Sequence, residues 1–108
     1  MAVFHKVALV ADIPPGTGKP VDVGGVKVAL FNVDGKFHAI DNTCPHQGGP
    51  LGEGFLQGRV VTCPFHFWQF DIQTGRCPEF PDARVSRFAV KVAGGEISVS
   101  PEPLDPEV

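Results

Sequence analysis

The chain has 108 residues, 43% hydrophobic and 19% charged: enough for one domain with a real core, too few for a second catalytic domain beside it. Nine basic against 12 acidic residues leave a formal charge of -3, which gives neither nucleic acid nor an anionic membrane an electrostatic footing. With 13 Gly and 11 Pro the composition suits a turn-rich β protein, and the absence of a basic, apolar leader or a membrane-length apolar run points to the cytoplasm.

Residues 3–13 (VFHKVALVADI) are rich in Val, Phe and Ile and partly alternate, as half-buried strands do. Residues 13–20 (IPPGTGKP) read as a loop, because prolines donate nothing to a ladder and glycines resist ordering. In residues 26–42 (VKVALFNVDGKFHAIDN) two strands flank Asp34-Gly35, and Gly24-Gly25 and Gly94-Gly95 separate further runs. All three pairs tolerate the positive φ of two-residue hairpin turns. Residues 42–59 (NTCPHQGGPLGEGFLQGR) then break the pattern with closely spaced glycines and no strand of useful length. Such a loop inside a compact domain carries function or is disordered.

Residues 58–72 (GRVVTCPFHFWQFDI) return to strand, 74–83 (TGRCPEFPDA) are irregular, 84–100 (RVSRFAVKVAGGEISVS) form a closing hairpin, and 101–108 (PEPLDPEV) fray. No stretch sustains a helical stripe. The fold class is all-β: one domain over residues 1–108, with a base of 1–41 and 83–100, an inserted lobe of 42–82 and a tail of 101–108. Trp68, Phe70 and Ile72 share one strand face and read as core. His5 and His38, in strands without a neighbouring Cys, read as ordinary surface or half-buried histidines.

The chemistry concentrates in two short clusters, Cys44-Pro45-His46 and Cys63-Pro64-Phe65-His66. Two thiols and two imidazoles can hold a structural zinc ion or an iron–sulfur cluster. Zinc fingers usually pair Cys with Cys and His with His, whereas here each cluster supplies one of each. The Cys-x-His bite is tight for two corners of one tetrahedron and natural when Cys and His of a loop bind different irons.

These two motifs resemble the Rieske family, whose loops read Cys-x-His and Cys-x-x-His around a [2Fe–2S] cluster. The similarity extends over roughly residues 3 to 100 and takes in the glycines after His46, Thr74-Gly75, the Pro78 to Pro81 loop and the closing hairpin. The resemblance implies a Rieske-like fold of antiparallel sheets with an inserted cluster-binding lobe and one cluster per chain. It also implies Cys44 and Cys63 on an inner iron, with His46 and His66 on an outer iron near the surface. Cys77 is left over and reads as a small buried residue or spare thiol. Gly48, Gly49, Gly52 and Gly54 are expected to let backbone amides approach the sulfurs. Phe65 and Phe67 flank His66 as core or as a small docking patch.

The high-potential respiratory members of the family carry a disulfide and Ser and Tyr hydroxyls around the cluster. Here Gly49 and Phe65 stand at the disulfide positions, Trp68 at the Ser and Phe70 at the Tyr. The implied potential lies at the low end of the Rieske window, on the order of -150 to -100 mV. Deprotonation of the outer histidines should lower it further as pH rises. With no nucleophile, phosphate loop or second metal set in the sequence, no catalytic residue is assigned. The resemblance implies a one-electron shuttle similar to Rieske-type ferredoxins, which take electrons from a flavin-dependent reductase and pass them to an oxygenase. A second reading is the small subunit of an assimilatory NAD(P)H nitrite reductase, some members of which lack the ligands that this chain retains; a third is a structural zinc module.

Overall fold

The computed structural model describes residues 3–43, 50–64, 68–78 and 84–104. Its strands are His5–Leu9 (β1), Thr17–Val23 (β2), Val26–Val33 (β3), Lys36–Asp41 (β4), Phe55–Gln57 (β5), Val60–Thr62 (β6), Gln69–Asp71 (β7), Arg87–Ala93 (β8) and Glu96–Pro103 (β9). Single 3-10 turns occupy Val10–Asp12 and Leu51–Glu53. A six-stranded antiparallel sheet runs β1-β9-β8-β4-β3-β2, and a three-stranded one runs β5-β6-β7.

The three glycine-containing pairs make the hairpins expected of them. Gly24 and Gly25 (φ 59° and 93°), Asp34 and Gly35 (52° and 87°) and Gly94 and Gly95 (58° and 78°) each hold positive φ at both central positions. That mirror-image turn matches the twist of the strands it joins and so sets the β2–β3, β3–β4 and β8–β9 registers.

Three segments depart from the sequence reading. Residues 17–20, expected in a loop, belong to β2, where Pro20 lies opposite Ala29. β2 is an edge strand of the sheet, a setting in which a missing N–H on the outer side costs no ladder bond. Gly18 fits for a similar local reason: a Cβ there would run into the Phe31 ring. Within residues 42–59, read as strandless, β5 pairs with β6 through a turn at Gly58 (φ 62°). Its three residues are too few to announce themselves by periodicity. Finally, Pro101 to Pro103 do not fray but prolong β9: Pro103 lies opposite Phe88, and the Leu104 N–H donates to the Arg87 carbonyl at 2.8 Å.

Two cores share the main sheet. Val21, Val23, Val28, Leu30, Ala39, Phe88, Ile97 and Val99 fill one, while Ala29, Phe31 and Ile40 turn to the other, where Val61, Phe70 and Ile72 of the smaller sheet cover them. Alternate residues of β3 therefore enter different cores. A strand buried on both faces reads as a continuous apolar run, which explains the unbroken "VALF". Buried Asn32 joins the layers' rim: its Nδ2 donates to the Ile13 carbonyl at 2.7 Å, and its Oδ1 accepts from the Gly35 N–H at 2.8 Å.

Candidate metal centre

The residues expected to hold metal stand in segments whose stems are pinned by the chain itself. Thr43 bridges Pro50 across the first segment, and just beneath this bridge the Leu51 N–H donates to the Asn42 carbonyl at 2.7 Å. The Gly52 N–H donates to the Asn42 side-chain Oδ1 at 2.8 Å. The second segment leaves at Cys63 and returns at Trp68, where the Cys63 N–H donates to the Trp68 carbonyl at 2.7 Å, directly above the Thr62–Gln69 pair of β6 and β7. A third, proline-containing segment is closed by the Arg76–Arg84 bridge and by the Val85 N–H donating to the Gly75 carbonyl at 2.8 Å.

The first two stems touch. A Cβ on Gly54 would collide with the Thr62 carbonyl, one residue before Cys63, and Leu51 and Cys63 belong to one buried cluster. Gly52 is equally confined, with a Cβ falling 2.6 Å from the Pro20 nitrogen and 2.9 Å from Asn42 Oδ1. For these two glycines the structure supplies a reason of its own, contact between backbone stems, beside the approach of amides to sulfur expected from the sequence. Two motifs far apart in the sequence thus issue from one point of the fold. The stem residues Asn42 and Thr62 were passed over in the sequence. The available signal was an Asn opening a glycine-rich segment, where its side chain characteristically caps backbone N–H groups.

Of the four expected ligands, Cys63 is described and is fully buried (0% exposed) beside Leu51, Phe70 and Cys77. Cys44, His46 and His66 lie outside the described residues, as do Gly48, Gly49, Phe65 and Phe67. Among the described residues no three His, Cys, Asp or Glu side chains gather as a metal site. Cys77 is buried in the core, and neither it nor Cys63 forms a disulfide. Phe70 and Ile72 are core, and Trp68 packs half-buried against them. His5 is exposed.

His38 is half-buried on β4. Burial lowers its pKa below the ordinary 6.5, against an upward pull from the Asp71 carboxylate, while Lys36 adds to the lowering. The unfolded chain therefore takes up this proton first, so the contribution is complete above about pH 6.5 and is lost as pH falls toward the folded-state value. His38→Gln is expected to flatten the decline in melting temperature between about pH 7 and 5 relative to the parent chain.

Residues 3–94 match the family model described as the Rieske [2Fe-2S] domain. The chain belongs to that family. A Rieske relative, the ferredoxin component of a naphthalene 1,2-dioxygenase system from Pseudomonas aeruginosa, is 36% identical over 89 residues, which is 82% of this chain and 86% of the relative. Among solved structures, a chain in the complex of reduced oxygenase and oxidized ferredoxin of carbazole 1,9a-dioxygenase superposes with a TM-score of 0.86 at 35% identity. The match covers 96% of this chain and 98% of that one. A putative NADH-dependent nitrite reductase small subunit from Mycobacterium tuberculosis gives a TM-score of 0.88 at 28% identity, over 96% and 99% of the two chains.

The cofactor of a Rieske domain is one [2Fe–2S] cluster per chain. The described part of the site fits it. A thiol withdrawn from water at the mouth of one stem, against a second stem carrying another Cys-His motif, suits a thiolate shielded on the protein side of an iron. In the Rieske domain the all-β architecture serves to bring these stems together.

Proposed function

We propose that this chain is a soluble, cytoplasmic one-electron carrier whose [2Fe–2S] cluster is held by Cys44 and Cys63 on the inner iron and His46 and His66 on the outer one. A flavin-dependent reductase is its donor and an oxygenase its acceptor. Residues 42–82 act as the cluster-binding lobe on a base of 1–41 and 83–100. The bound cluster supplies a site for a single electron. The protein supplies two hydrogen-bonded stems, a dry seat for the Cys63 sulfur and apolar residues where high-potential relatives place hydroxyls. Phe70 is fully buried and, like Trp68, offers no hydroxyl. The observation that carries this reading is the 35% identity, over 98% of its length, to a chain of the oxygenase–ferredoxin complex.

The test is direct. Anaerobically purified protein should be reddish-brown with two irons and two acid-labile sulfides per chain. Its midpoint by protein-film voltammetry should lie on the order of -150 to -100 mV at neutral pH. With a flavin reductase and NADH it should sustain turnover of a ring-hydroxylating oxygenase. Stoichiometric zinc in place of iron would end the proposal, and a midpoint above zero would end its low-potential part.

The nitrite reductase likeness supports a second reading, a permanently attached small subunit. Size-exclusion chromatography from the native host separates the two: the subunit would elute with a large flavoprotein at every concentration, whereas the shuttle would elute alone.

A further inference from the structure

We infer that Asn42 is a positioning residue for the cluster, acting through its side-chain oxygen as a clamp across the foot of the first ligand segment. The inference rests on the proposed ligand assignment only in what the clamp serves. The clamp itself stands on the described residues.

Asn42 lies two residues before Cys44 and ties β3 to the 3-10 turn Leu51–Glu53. Its N–H donates to the Lys27 carbonyl on β3 at 3.2 Å, and its carbonyl accepts from Leu51 at 2.7 Å. Its Oδ1 accepts from Gly52 at 2.8 Å. The chain thus departs toward Cys44 and His46 and returns at Leu51 between two parallel ties to the same residue. One tie is backbone and independent of side-chain identity; the other exists only because position 42 carries an acceptor of this reach.

The Gly52 side of the contact is built as tightly. Its amide reaches Oδ1 with no room for a side chain, since a Cβ would sit 2.9 Å from that oxygen and 2.6 Å from the Pro20 nitrogen. Gly52 in turn leads through Gly54 to the Thr62 carbonyl, beside Cys63. The Oδ1 bond therefore holds the return of the first segment against the stem of the second. Without it the N–H of buried Gly52 loses its partner, and the separation of the two ligand stems loses a constraint. Loss of a hydrogen bond of this kind shifts a local opening equilibrium roughly tenfold, more when it strands a buried donor. That is enough to loosen a stem without unfolding a domain.

The clamp needs an oxygen acceptor and not the amide nitrogen, so Asn42→Asp should keep it and Asn42→Ala should not. Three readings on the cluster-loaded protein follow. Exchange of the Gly52 amide should quicken roughly tenfold in Asn42→Ala and stay near the parent rate in Asn42→Asp. Bleaching by an iron chelator should quicken about three- to tenfold in the alanine variant alone. The EPR line shape of the reduced protein should broaden in the alanine variant and keep its width in the aspartate variant. Unchanged Gly52 exchange in Asn42→Ala, or an aspartate variant that exchanges and bleaches as fast as the alanine one, would overturn the clamp. Should the parent chain bind no iron, the ligand assignment falls, while the exchange measurement still decides whether Oδ1 holds Gly52.

Discussion

Replacing Cys63 by Ser is expected to leave the chain colourless after anaerobic reconstitution, whereas Cys77→Ser should keep the visible absorption and both irons. The two thiols make a controlled pair. They are 0% and 2% exposed and belong to the same apolar cluster with Leu51, Phe70 and Ile72. Placing a hydroxyl at either position costs about 1–3 kcal/mol, because each thiol is seated in an apolar cluster. With iron removed from both, the melting temperatures should therefore fall by comparable amounts, because the stabilisation that a bound cluster adds is then absent from each. Any difference in iron content then comes from ligation and not from burial, since a serine hydroxyl stays protonated at neutral pH and is a poor substitute for a thiolate on iron. Iron and sulfide analysis with the visible spectrum reads the result. Loss of colour in both variants, in step with melting temperature, would trace the effect to packing; a colourless Cys77→Ser beside a coloured Cys63→Ser would reverse the assignment.

The contrast between these cysteines also shows what the sequence could convey. The sequence singles out Cys63 because a Cys-x-x-His and a Cys-x-His motif together are specific chemistry, and sets Cys77 apart because it has no such company, whereas the structure buries both alike. The hairpins were legible for a comparable reason: Gly24-Gly25, Asp34-Gly35 and Gly94-Gly95 sit between apolar runs, and few other conformations suit them. What was not legible depends on contacts between distant segments. Pro20 reads as a ladder breaker until β2 is known to lie at a sheet edge. Pro101 to Pro103 read as a loose tail until Pro103 is seen opposite Phe88. Gly52 and Gly54 look like part of a cluster-facing loop, yet their confinement comes from Pro20, Asn42 and the Thr62 carbonyl. Periodicity reports the local chain, and these residues answer to a neighbour that only the tertiary fold supplies.

Gly75→Ala is expected to be among the most damaging single-methyl changes in the chain, because two independent penalties meet at one residue. Gly75 holds φ +78°, a region that costs an L-residue roughly 1–2 kcal/mol. A Cβ there would also collide with the Val85 carbonyl, which is backbone and cannot rotate aside. Yielding would disturb the bonds that close this corner: the Gly75 N–H to the Asp71 carbonyl at 2.7 Å, and the Val85 N–H to the Gly75 carbonyl at 2.8 Å. Asp71 ends β7, the strand returning from Cys63, and also receives Arg59 in an ion pair of 3.1 Å. The strain therefore reaches the second ligand stem. A loss of about 2–4 kcal/mol is expected, lowering the melting temperature by roughly 10 °C or more in a domain of this size. Gly94→Ala supplies the comparison. It has a similar positive φ of 58°, but nothing lies within 4 Å of the added methyl, so it should carry the conformational penalty alone. If the two alanine variants melt together, the contact with Val85 contributes nothing, and the third segment is held less firmly than its hydrogen bonds indicate.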